Sequence, residues 1–283
     1  MLMNRIKSEG VYPEKMKLCN ISSIWKRKGS RDTFDNYRGI FRVTILRSIL
    51  EYSNIDSNLS DSNVGARKGR NIRDNLFVLN AVVNTAIRNN EQIDIQVFDV
   101  EKCFDALWLQ ECINDLYDKG FVNDKLYLIY LENVSASVAI KNGENLTQRF
   151  ATENTVMQGS VWGSLMCTAT MSKIGDQAYE NLDLCYVYKN IVAVAPLGMI
   201  DDLLCIQKCN KSYTAVNTFV ELKKLKFSNG KFSQMHIGKS VDMCSELKVH
   251  SEAINKSNIE KYLSDIVSTS GNIKENISKH VCE

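Results

Sequence analysis

Two adjacent aspartates lie in the stretch Gly198-Met199-Ile200-Asp201-Asp202-Leu203-Leu204, between apolar residues on both sides. The neighbouring runs 192–195 and 203–206 have the composition of short β-strands, so we predict that the pair lies at a strand–turn–strand junction. Two carboxylates in apolar surroundings are costly unless a metal ion, a basic partner or solvent compensates their charge. An isolated Asp-Asp pair is also common at an exposed hairpin tip, because aspartate favours turns.

A second acidic cluster favours a functional interpretation. It is Phe98-Asp99-Val100-Glu101-Lys102-Cys103-Phe104-Asp105, which follows β-forming residues that begin near Ile95. The pattern predicts a strand that ends on Asp99 and a helical segment after it. One carboxylate at a strand end and two at a hairpin turn can hold two divalent cations about 4 Å apart, as phosphoryl transfer requires. Oxygen ligands of this kind predict two Mg²⁺ ions, with Mn²⁺ as an alternative.

Several motifs together resemble the reverse transcriptase domain of non-LTR (LINE-type) retrotransposons. The Asp99 segment is similar to the first catalytic motif of that family, and Gln158-Gly159-Ser160 resembles its substrate-positioning motif. Met199-Ile200-Asp201-Asp202 resembles its aromatic-Ala-Asp-Asp box. The motifs follow the family's order between about Ile21 and about Ile277. The resemblance implies a nucleotidyltransferase that extends a DNA primer on an RNA template with deoxynucleoside triphosphates.

The resemblance also implies roles for individual catalytic residues. Asp99 and Asp201 would bridge the metal ions, and Asp202 would contribute less directly. Lys231 stands where the family often carries a lysine, and it is a candidate general acid for the pyrophosphate leaving group. Phe104 stands where the family places an aromatic ring that crowds a 2′-hydroxyl and thereby selects deoxynucleotides.

Further residues are implied to bind the nucleotide or the template. Lys26 and Lys28 lie in a basic loop, and Arg38 lies in an Asn-Tyr-Arg-Gly-Ile box, both of which resemble the fingers of the family. These three side chains are predicted to contact the triphosphate or the template backbone, since lysine and arginine are common phosphate partners. Gln158 and Gly159 are predicted to position the base and the sugar.

The order of elements predicts an α/β protein with α+β layers and the right-hand polymerase fold, in which helices back an antiparallel palm sheet and a fingers subdomain precedes it. We expect the fingers in residues 1–92 and the palm, with its catalytic motifs, in residues 93–240. Residues 241–283 would hold the end of the palm and the start of an incomplete thumb.

Local patterns predict individual elements of this fold. The segment 18–25 is a predicted strand, and the apolar and basic segment 41–52 is a predicted helix. Asn71 is predicted to cap a helix, and Asn142-Gly143 to turn a hairpin. Asp105 is predicted to cap the helix that follows it.

Charge is unevenly distributed along the 283 residues, whose net charge is +2. Residues 1–73 hold 15 Lys and Arg against 7 Asp and Glu, whereas the remainder holds 20 against 26. A basic first quarter suits contact with a polyanion such as RNA. No apolar run approaches a membrane span and the N-terminus lacks a signal-peptide core, so we expect no membrane partner and an intracellular location, nuclear or cytoplasmic. The nine cysteines are scattered and are expected to be reduced.

Three alternatives stay open at this level. Met199 replaces the usual aromatic residue, and neither an endonuclease nor a complete thumb is evident, so the chain could be a truncated copy that binds nucleic acid without catalysis. An RNA-dependent RNA polymerase would share the acidic pair but commonly shows Gly-Asp-Asp. A metal-dependent nuclease would need a base near the metals, and His236, His250 and His280 all come late in the chain.

Overall fold

The chain forms two compact units. The computed structural model describes residues 2–53, 59–121, 124–154, 156–189, 191–207, 211–228, 231–238, 248–249, 252–253, 255–256, 259–263 and 265–268. The first unit comprises Met1–Leu59, Ala66–Lys68 and Lys102–Thr170, and the second comprises Ser60–Gly65, Gly69–Glu101 and Met171–Glu283.

The described ranges contain both helices and strands. The helices are α1 (Leu2–Glu9), α2 (Ile45–Ser53), α3 (Ile72–Asn89), α4 (Cys103–Ala106), α5 (Leu109–Asp118), α6 (Asp124–Asn133), α7 (Val161–Glu180) and α8 (Lys211–Leu222). The strands are β1 (Leu18–Trp25), β2 (Tyr37–Arg42), β3 (Ile93–Asp99), β4 (Ala136–Asn142), β5 (Asn145–Leu146), β6 (Phe150–Thr152), β7 (Tyr186–Tyr188), β8 (Val192–Val194), β9 (Leu197–Met199), β10 (Asp202–Gln207), β11 (Ser233–Ile237), β12 (Lys248–Val249), β13 (Glu252–Ala253), β14 (Asn255–Lys256), β15 (Ile259–Tyr262) and β16 (Asp265–Ser268). None of the described helices has the length and apolar character that a membrane span requires.

The second unit contains a sheet with the strand order β14-β11-β3-β10-β9. The pairs β11–β3, β3–β10 and β10–β9 are antiparallel, and the two-residue β14 joins the edge in parallel. Buried side chains of α3, including Leu79 and Val83, share one apolar core with Ile95, Leu204 and Met235 of the sheet. This sheet confirms the predicted antiparallel palm sheet backed by helices.

Helix α3 begins where the sequence predicted. The Asn71 side chain accepts a hydrogen bond from Arg73 N. The Asp74 side chain in turn accepts one from Asn71 N, which completes a capping box. The helix ends at Asn90, whose backbone is left-handed, with φ of +52°. Both ends of this core helix are therefore set by local sequence.

The first unit contains a sheet with the order β2-β1-β4-β5, and β6 also pairs with β4. The β1–β2 pair is antiparallel and the β1–β4 pair is parallel. Cys19, Ala136, Val138 and Met157 form a small buried core beside this sheet. β1 has its predicted bounds, and β4 turns back to β5 at the predicted position.

Three local predictions were wrong. The predicted strand over Val192–Ala195 is present as β8, but it does not lead into the Asp-Asp turn: β8 pairs with β7, Pro196 follows, and the separate strand β9 leads into the turn. Proline lacks the N–H that a continuing central strand needs, which accounts for the break. Phe41 and Arg42 belong to β2 and not to a helix, because Phe41 N donates to Gln158 O (2.8 Å) and α2 begins only after Thr44, whose hydroxyl accepts from Arg47 N (3.3 Å).

The third wrong prediction concerns the start of α5. Asp105 is exposed and lies inside the short helix α4, so it does not cap the next helix. The Asn154 side chain takes that place, because its Oδ1 accepts a hydrogen bond from Leu109 N at 2.6 Å. A capping side chain that lies 45 residues away in the chain leaves no signature in the local sequence.

The first unit also buries an ionic cluster. Arg47, Glu51 and Glu132 have no solvent exposure. Arg47 Nε contacts Glu51 Oε1 at 2.7 Å and Glu132 Oε2 at 3.6 Å. Glu51 Oε2 accepts from Val161 N (2.8 Å), whereas Tyr12 donates its hydroxyl to Glu132 Oε1 (2.8 Å). One guanidinium thus faces two carboxyl groups, and desolvation, with Glu51 nearby, raises the pKa of Glu132 to about 8.

We expect Glu132→Gln to remove a pH dependence of stability. In the wild type the unfolded Glu132 ionises near its ordinary pKa of 4.5, while the folded carboxyl keeps its proton up to about pH 8. Stability is therefore lost as pH rises through this window, by at most about 1.4 kcal/mol per pH unit. Urea unfolding at several pH values should show that Glu132→Gln gains stability relative to the wild type between about pH 5 and pH 8.

Glu153→Gln provides the matched control, because Glu153 is an exposed carboxylate of the same unit. The difference in unfolding free energy between this variant and the wild type should stay constant with pH. A constant difference for Glu132→Gln as well would show that Glu132 is ionised in the folded protein, contrary to this assignment.

Candidate active site

Three carboxylates meet at one end of the sheet in the second unit. Asp99 is the last residue of β3 and Asp202 the first of β10, and the antiparallel register places them directly opposite each other. Asp201 precedes Asp202 in the turn from β9. Directly opposed residues of antiparallel strands have Cβ atoms about 5 Å apart. The structure therefore brings together the predicted acidic residues, which are separated by a hundred positions in sequence.

An aromatic cluster lies behind Asp99. Phe98 is buried and contacts Phe227 and Phe232, with ring centroids 5.3 Å and 6.1 Å away. Phe227 and Phe232 meet edge to face at 5.1 Å. Phe227 directly precedes Ser228 and Phe232 directly follows Lys231, so the packing of these rings holds both residues next to the end of β3.

Lys231 and Ser228 both contact Asp99. Lys231 Nζ lies 2.7 Å from Asp99 Oδ2, and Ser228 donates its hydroxyl to the same oxygen. Ser228 N also donates to Asp99 O at 2.8 Å, and Glu101 N donates to Lys226 O at 2.7 Å. The predicted Lys231 is thus joined to the carboxylates. Ser228 was not predicted; its only signal in the sequence was its position three residues before Lys231.

The carboxylates repel one another. Desolvation, followed by the charge of Asp202, raises the pKa of Asp201 to about 6; Asp99 adds to this effect and Lys231 opposes it. A divalent cation would relieve such repulsion, and the hard oxygen donors of Asp99, Asp201 and Asp202 fit Mg²⁺ or Mn²⁺. Within the described ranges, no three Asp, Glu, His or Cys side chains are grouped so as to hold a metal ion by themselves. The carboxylates fit an ion that completes its coordination with water and substrate oxygens.

The turn before Asp201 is held by a residue distant in sequence. Ile200 adopts a left-handed backbone with φ of +61°. Asn63 is buried, its Oδ1 accepts from Ile200 N and its Nδ2 donates to Ile200 O, both at 3.0 Å. Asn63 and the next residue, Val64, are both buried and bridge to Gly198 of β9.

The predicted phosphate-contacting residues lie in the first unit. Lys26, Lys28 and Arg38 are all exposed. Lys26 follows β1 and donates to Asp35 O at 2.7 Å, and Arg38 lies in β2 opposite Ile24 of β1. The ends of the same strand pair therefore present these three cations to solvent, as contact with a polyanion requires.

Gln158 and Gly159 lie beside the other end of β2. Gln158 O accepts from Phe41 N. Gly159 has a φ of +108°, and a Cβ atom there would lie 2.7 Å from Phe41 O and 2.8 Å from Ile40 Cγ2. The packing of the chain itself thus requires glycine at this position, whether or not a nucleotide approaches it. Phe104 lies in α4 and is half-buried.

Among the described residues, the one histidine is His236, and it lies at the other end of the sheet from Asp99 and Asp202. His236 Nδ1 lies 2.9 Å from Asp94 Oδ1, and the two residues are opposite each other in the β11–β3 pair. Asp94 precedes Asp99 by five residues, which corresponds to about 17 Å along an antiparallel strand. His250 and His280 lie outside the described residues. The geometry of His236 gives no support to the nuclease alternative.

The chain matches the family model described as "Reverse transcriptase (RNA-dependent DNA polymerase)" over residues 26–264. Among solved structures it is similar to apo telomerase from Candida tropicalis truncated from the C-terminal domain, with 13% identity and a TM-score of 0.59 over 95% of this chain and 57% of that one. Telomerase from Candida tropicalis in complex with a TWJ fragment of telomeric RNA is 12% identical, with a TM-score of 0.58 over 91% of this chain and 44% of that one. Telomerase from Candida albicans in complex with such a fragment is 12% identical, with a TM-score of 0.53 over 93% of this chain and 47% of that one.

The chain spans about half the length of these solved structures. At this level of identity the likeness concerns the fold alone, and it confirms the predicted polymerase-type architecture. No curated protein sequence matches the chain.

Proposed function

The chain belongs to the reverse transcriptase (RNA-dependent DNA polymerase) family, whose members are nucleotidyltransferases, and from this premise we propose that it extends a DNA primer on an RNA template. The primer 3′-hydroxyl gives its proton to water and attacks the α-phosphorus of a deoxynucleoside triphosphate, the bond to the bridging oxygen breaks, and pyrophosphate leaves. The observation that carries the proposal is the register of β3 and β10, which opposes Asp99 and Asp202 and places Asp201 next to them.

We assign the three carboxylates to two Mg²⁺ ions, with Mn²⁺ as a substitute. When bound, two such ions activate the attacking oxygen and stabilise the leaving one. Asp99 and Asp201 would each contact both ions, and Asp202 would contribute less directly. The raised pKa of Asp201 supports this role, because a carboxylate that is desolvated and lies next to Asp202 gains most from a bound cation.

Lys231 is the proposed general acid. Its ammonium group contacts Asp99 Oδ2, so a proton donor lies at the edge of the carboxylate cluster. During the reaction it would give a proton to the pyrophosphate oxygen that leaves the α-phosphorus. Ser228 donates to the same carboxylate oxygen and would keep Asp99 oriented when Lys231 turns towards the phosphates.

The first unit supplies the proposed phosphate and template contacts. Lys26, Lys28 and Arg38 would bind the triphosphate or the template backbone, which their exposure and charge support. Gln158 and Gly159 would position the base and the sugar. The basic first quarter of the chain supports RNA as the template, since phosphate contacts dominate such binding.

Primer extension tests this proposal directly. A labelled DNA primer annealed to an RNA template is incubated with the full chain, deoxynucleoside triphosphates and Mg²⁺. We expect extension that follows the template sequence and stops when the metal is chelated. RNA binding that weakens with salt but is indifferent to Mg²⁺, without extension, would contradict the proposal and indicate a nucleic-acid-binding remnant.

We further propose that the chain belongs to the non-LTR (LINE-type) group. The Asn-Tyr-Arg-Gly-Ile box at 36–40 and the Gln158-Gly159 motif support this assignment. It predicts extension on an unrelated RNA template without any additional RNA. A requirement for a telomeric RNA fragment, such as the one bound in the Candida complexes, would favour a telomerase-like enzyme instead.

We expect Phe104→Val to relax discrimination against ribonucleotides. If the Phe104 ring crowds the 2′-hydroxyl, its removal should raise the kcat/KM for ribonucleotides about 10- to 100-fold relative to that for deoxynucleotides, the range that a steric pocket supplies. Single-nucleotide incorporation with matched deoxy- and ribonucleotides measures this ratio.

Trp108→Leu is the control, because Trp108 is a largely exposed aromatic residue that follows the same segment. It should leave the ratio unchanged. A wild-type enzyme that already prefers ribonucleotides would contradict the role of Phe104 and favour the RNA-dependent RNA polymerase alternative.

A further inference from the structure

Asn63 forms an unusual pairing with the turn that carries the catalytic aspartates. Its side-chain amide bonds both polar groups of one residue: Oδ1 accepts from Ile200 N and Nδ2 donates to Ile200 O, each at 3.0 Å. Oδ1 also accepts from Gly65 N at 3.0 Å. With 1% exposure, this amide is shielded from water that could replace its bonds. Its contacts therefore fix the Ile200 peptide geometry more firmly than an exposed turn would allow.

The backbone of Ile200 needs such support. A left-handed conformation is unfavourable for a β-branched residue, and it persists only where the surroundings hold it. Asp201 follows directly, and its carboxylate direction is set by the Ile200 peptide. Without the Asn63 amide, the turn could relax to a common conformation, which would move Asp201 away from Asp99 and Asp202.

A neighbouring contact brings the same loop to β9 but does not reach the turn. Val64 N donates to Gly198 O at 3.0 Å and Gly198 N donates to Ser62 O at 2.7 Å. Asn75, on α3, is also buried, and its Nδ2 donates to Gly198 O at 2.8 Å. Asn75 thus stabilises β9, whereas Asn63 bonds Ile200 itself. The two buried asparagines therefore have different roles: Asn75 supports the strand and Asn63 supports the turn.

We propose that Asn63 is a positioning residue for the catalytic carboxylates. It holds Ile200 in its left-handed conformation, and through it sets the direction of Asp201 towards the divalent cations. The inference rests on the proposed function, since it presumes that Asp201 binds metal. It predicts that loss of the Asn63 amide weakens metal binding more than it weakens the fold.

The test is a Mn²⁺ titration of the full chain, followed by the rise in Tm that metal binding produces. The compared proteins are the wild type, Asn63→Ala, Asn75→Ala and Asp201→Asn. We expect Asn63→Ala to need at least tenfold more Mn²⁺ for its half-maximal shift, while Asn75→Ala, although less stable in the absence of metal, keeps the wild-type midpoint. In primer extension, Asn63→Ala should likewise need more Mg²⁺ for half-maximal activity, whereas Asn75→Ala should need as much as the wild type.

Gly198→Ala gives an independent variant if Asn63→Ala does not fold. A Cβ at Gly198 would lie 2.7 Å from Asn63 Nδ2, so it displaces the amide without removing it. It should raise the Mn²⁺ midpoint in the same direction. Suppose that Mn²⁺ raises the Tm of the wild type but not that of Asp201→Asn, and that both Asn63→Ala and Gly198→Ala keep the wild-type Mn²⁺ midpoint. This result would overturn the positioning role of Asn63 and leave the proposed metal site in place. Absence of any Mn²⁺ shift in the wild type would refute the metal site of the proposed function, and the inference with it.

Discussion

Asp201→Asn is expected to reduce primer extension about 10³-fold or more, which corresponds to about 4 kcal/mol of transition-state stabilisation. The amide keeps the shape of the side chain but removes the charge that would hold a cation between Asp99 and Asp201. The same change removes the carboxyl group whose pKa is raised to about 6 by desolvation and then by the charge of Asp202, so the variant should be no less stable than the wild type. Single-turnover extension in Mg²⁺, together with thermal unfolding, measures both effects.

Two further variants show whether this loss is specific. Asp94→Asn changes the same residue type on the same strand β3, but at the end paired with His236, and it should retain extension. Asp202→Asn should lose activity to a smaller extent than Asp201→Asn, because Asp202 is assigned the less direct role. Equal extension by Asp201→Asn and the wild type would remove Asp201 from the reaction and leave the chain without its proposed metal site.

The sequence predicted the catalytic strands because their information is local. β3 is a run of β-forming residues that ends on Asp99, and the run after Asp202 has the same character, so both strands could be placed by composition and length. The expectation that Asp99, Asp201 and Asp202 come together then followed from the resemblance in motif order. The structure adds the register, which the separate strands do not contain.

The parts of the site that were missed depend on contacts between distant residues. Asn63 and Ile200 are 137 positions apart, and Ser228 and Asp99 are 129 apart. An asparagine two residues before a glycine indicates a turn when only its neighbours are considered, and a serine in a polar segment indicates an exposed loop. Their roles arise only when β3, β9 and the residues before β11 fold against one another. The wrong position of the Val192 strand has a local cause instead, since Pro196 ends that strand and β9 takes the place next to the turn.

The buried cluster around Arg47 is expected to show the largest effect on stability. Besides its two carboxylate partners, Arg47 donates from Nη1 to Glu132 O at 2.9 Å and from Nη2 to Asn133 Oδ1 at 3.4 Å. Arg47→Met would fill a similar volume but leave Glu51 in the interior without its cation. Removing one partner of a buried ion pair costs about 3–5 kcal/mol, because the remaining charge is not solvated. Urea unfolding should therefore show a loss of this size.

A second substitution distinguishes charge from packing as the cause of that loss. If uncompensated carboxyl groups dominate, the double variant Arg47→Met with Glu51→Gln should recover part of the stability, since no ionised group would then lack a partner. Arg42→Met, at an exposed arginine that ends β2, should change stability by no more than about 0.5 kcal/mol. A double variant as unstable as the sum of its single changes would show that Arg47 acts through its hydrogen bonds and packing, and that the charges of the cluster are not coupled.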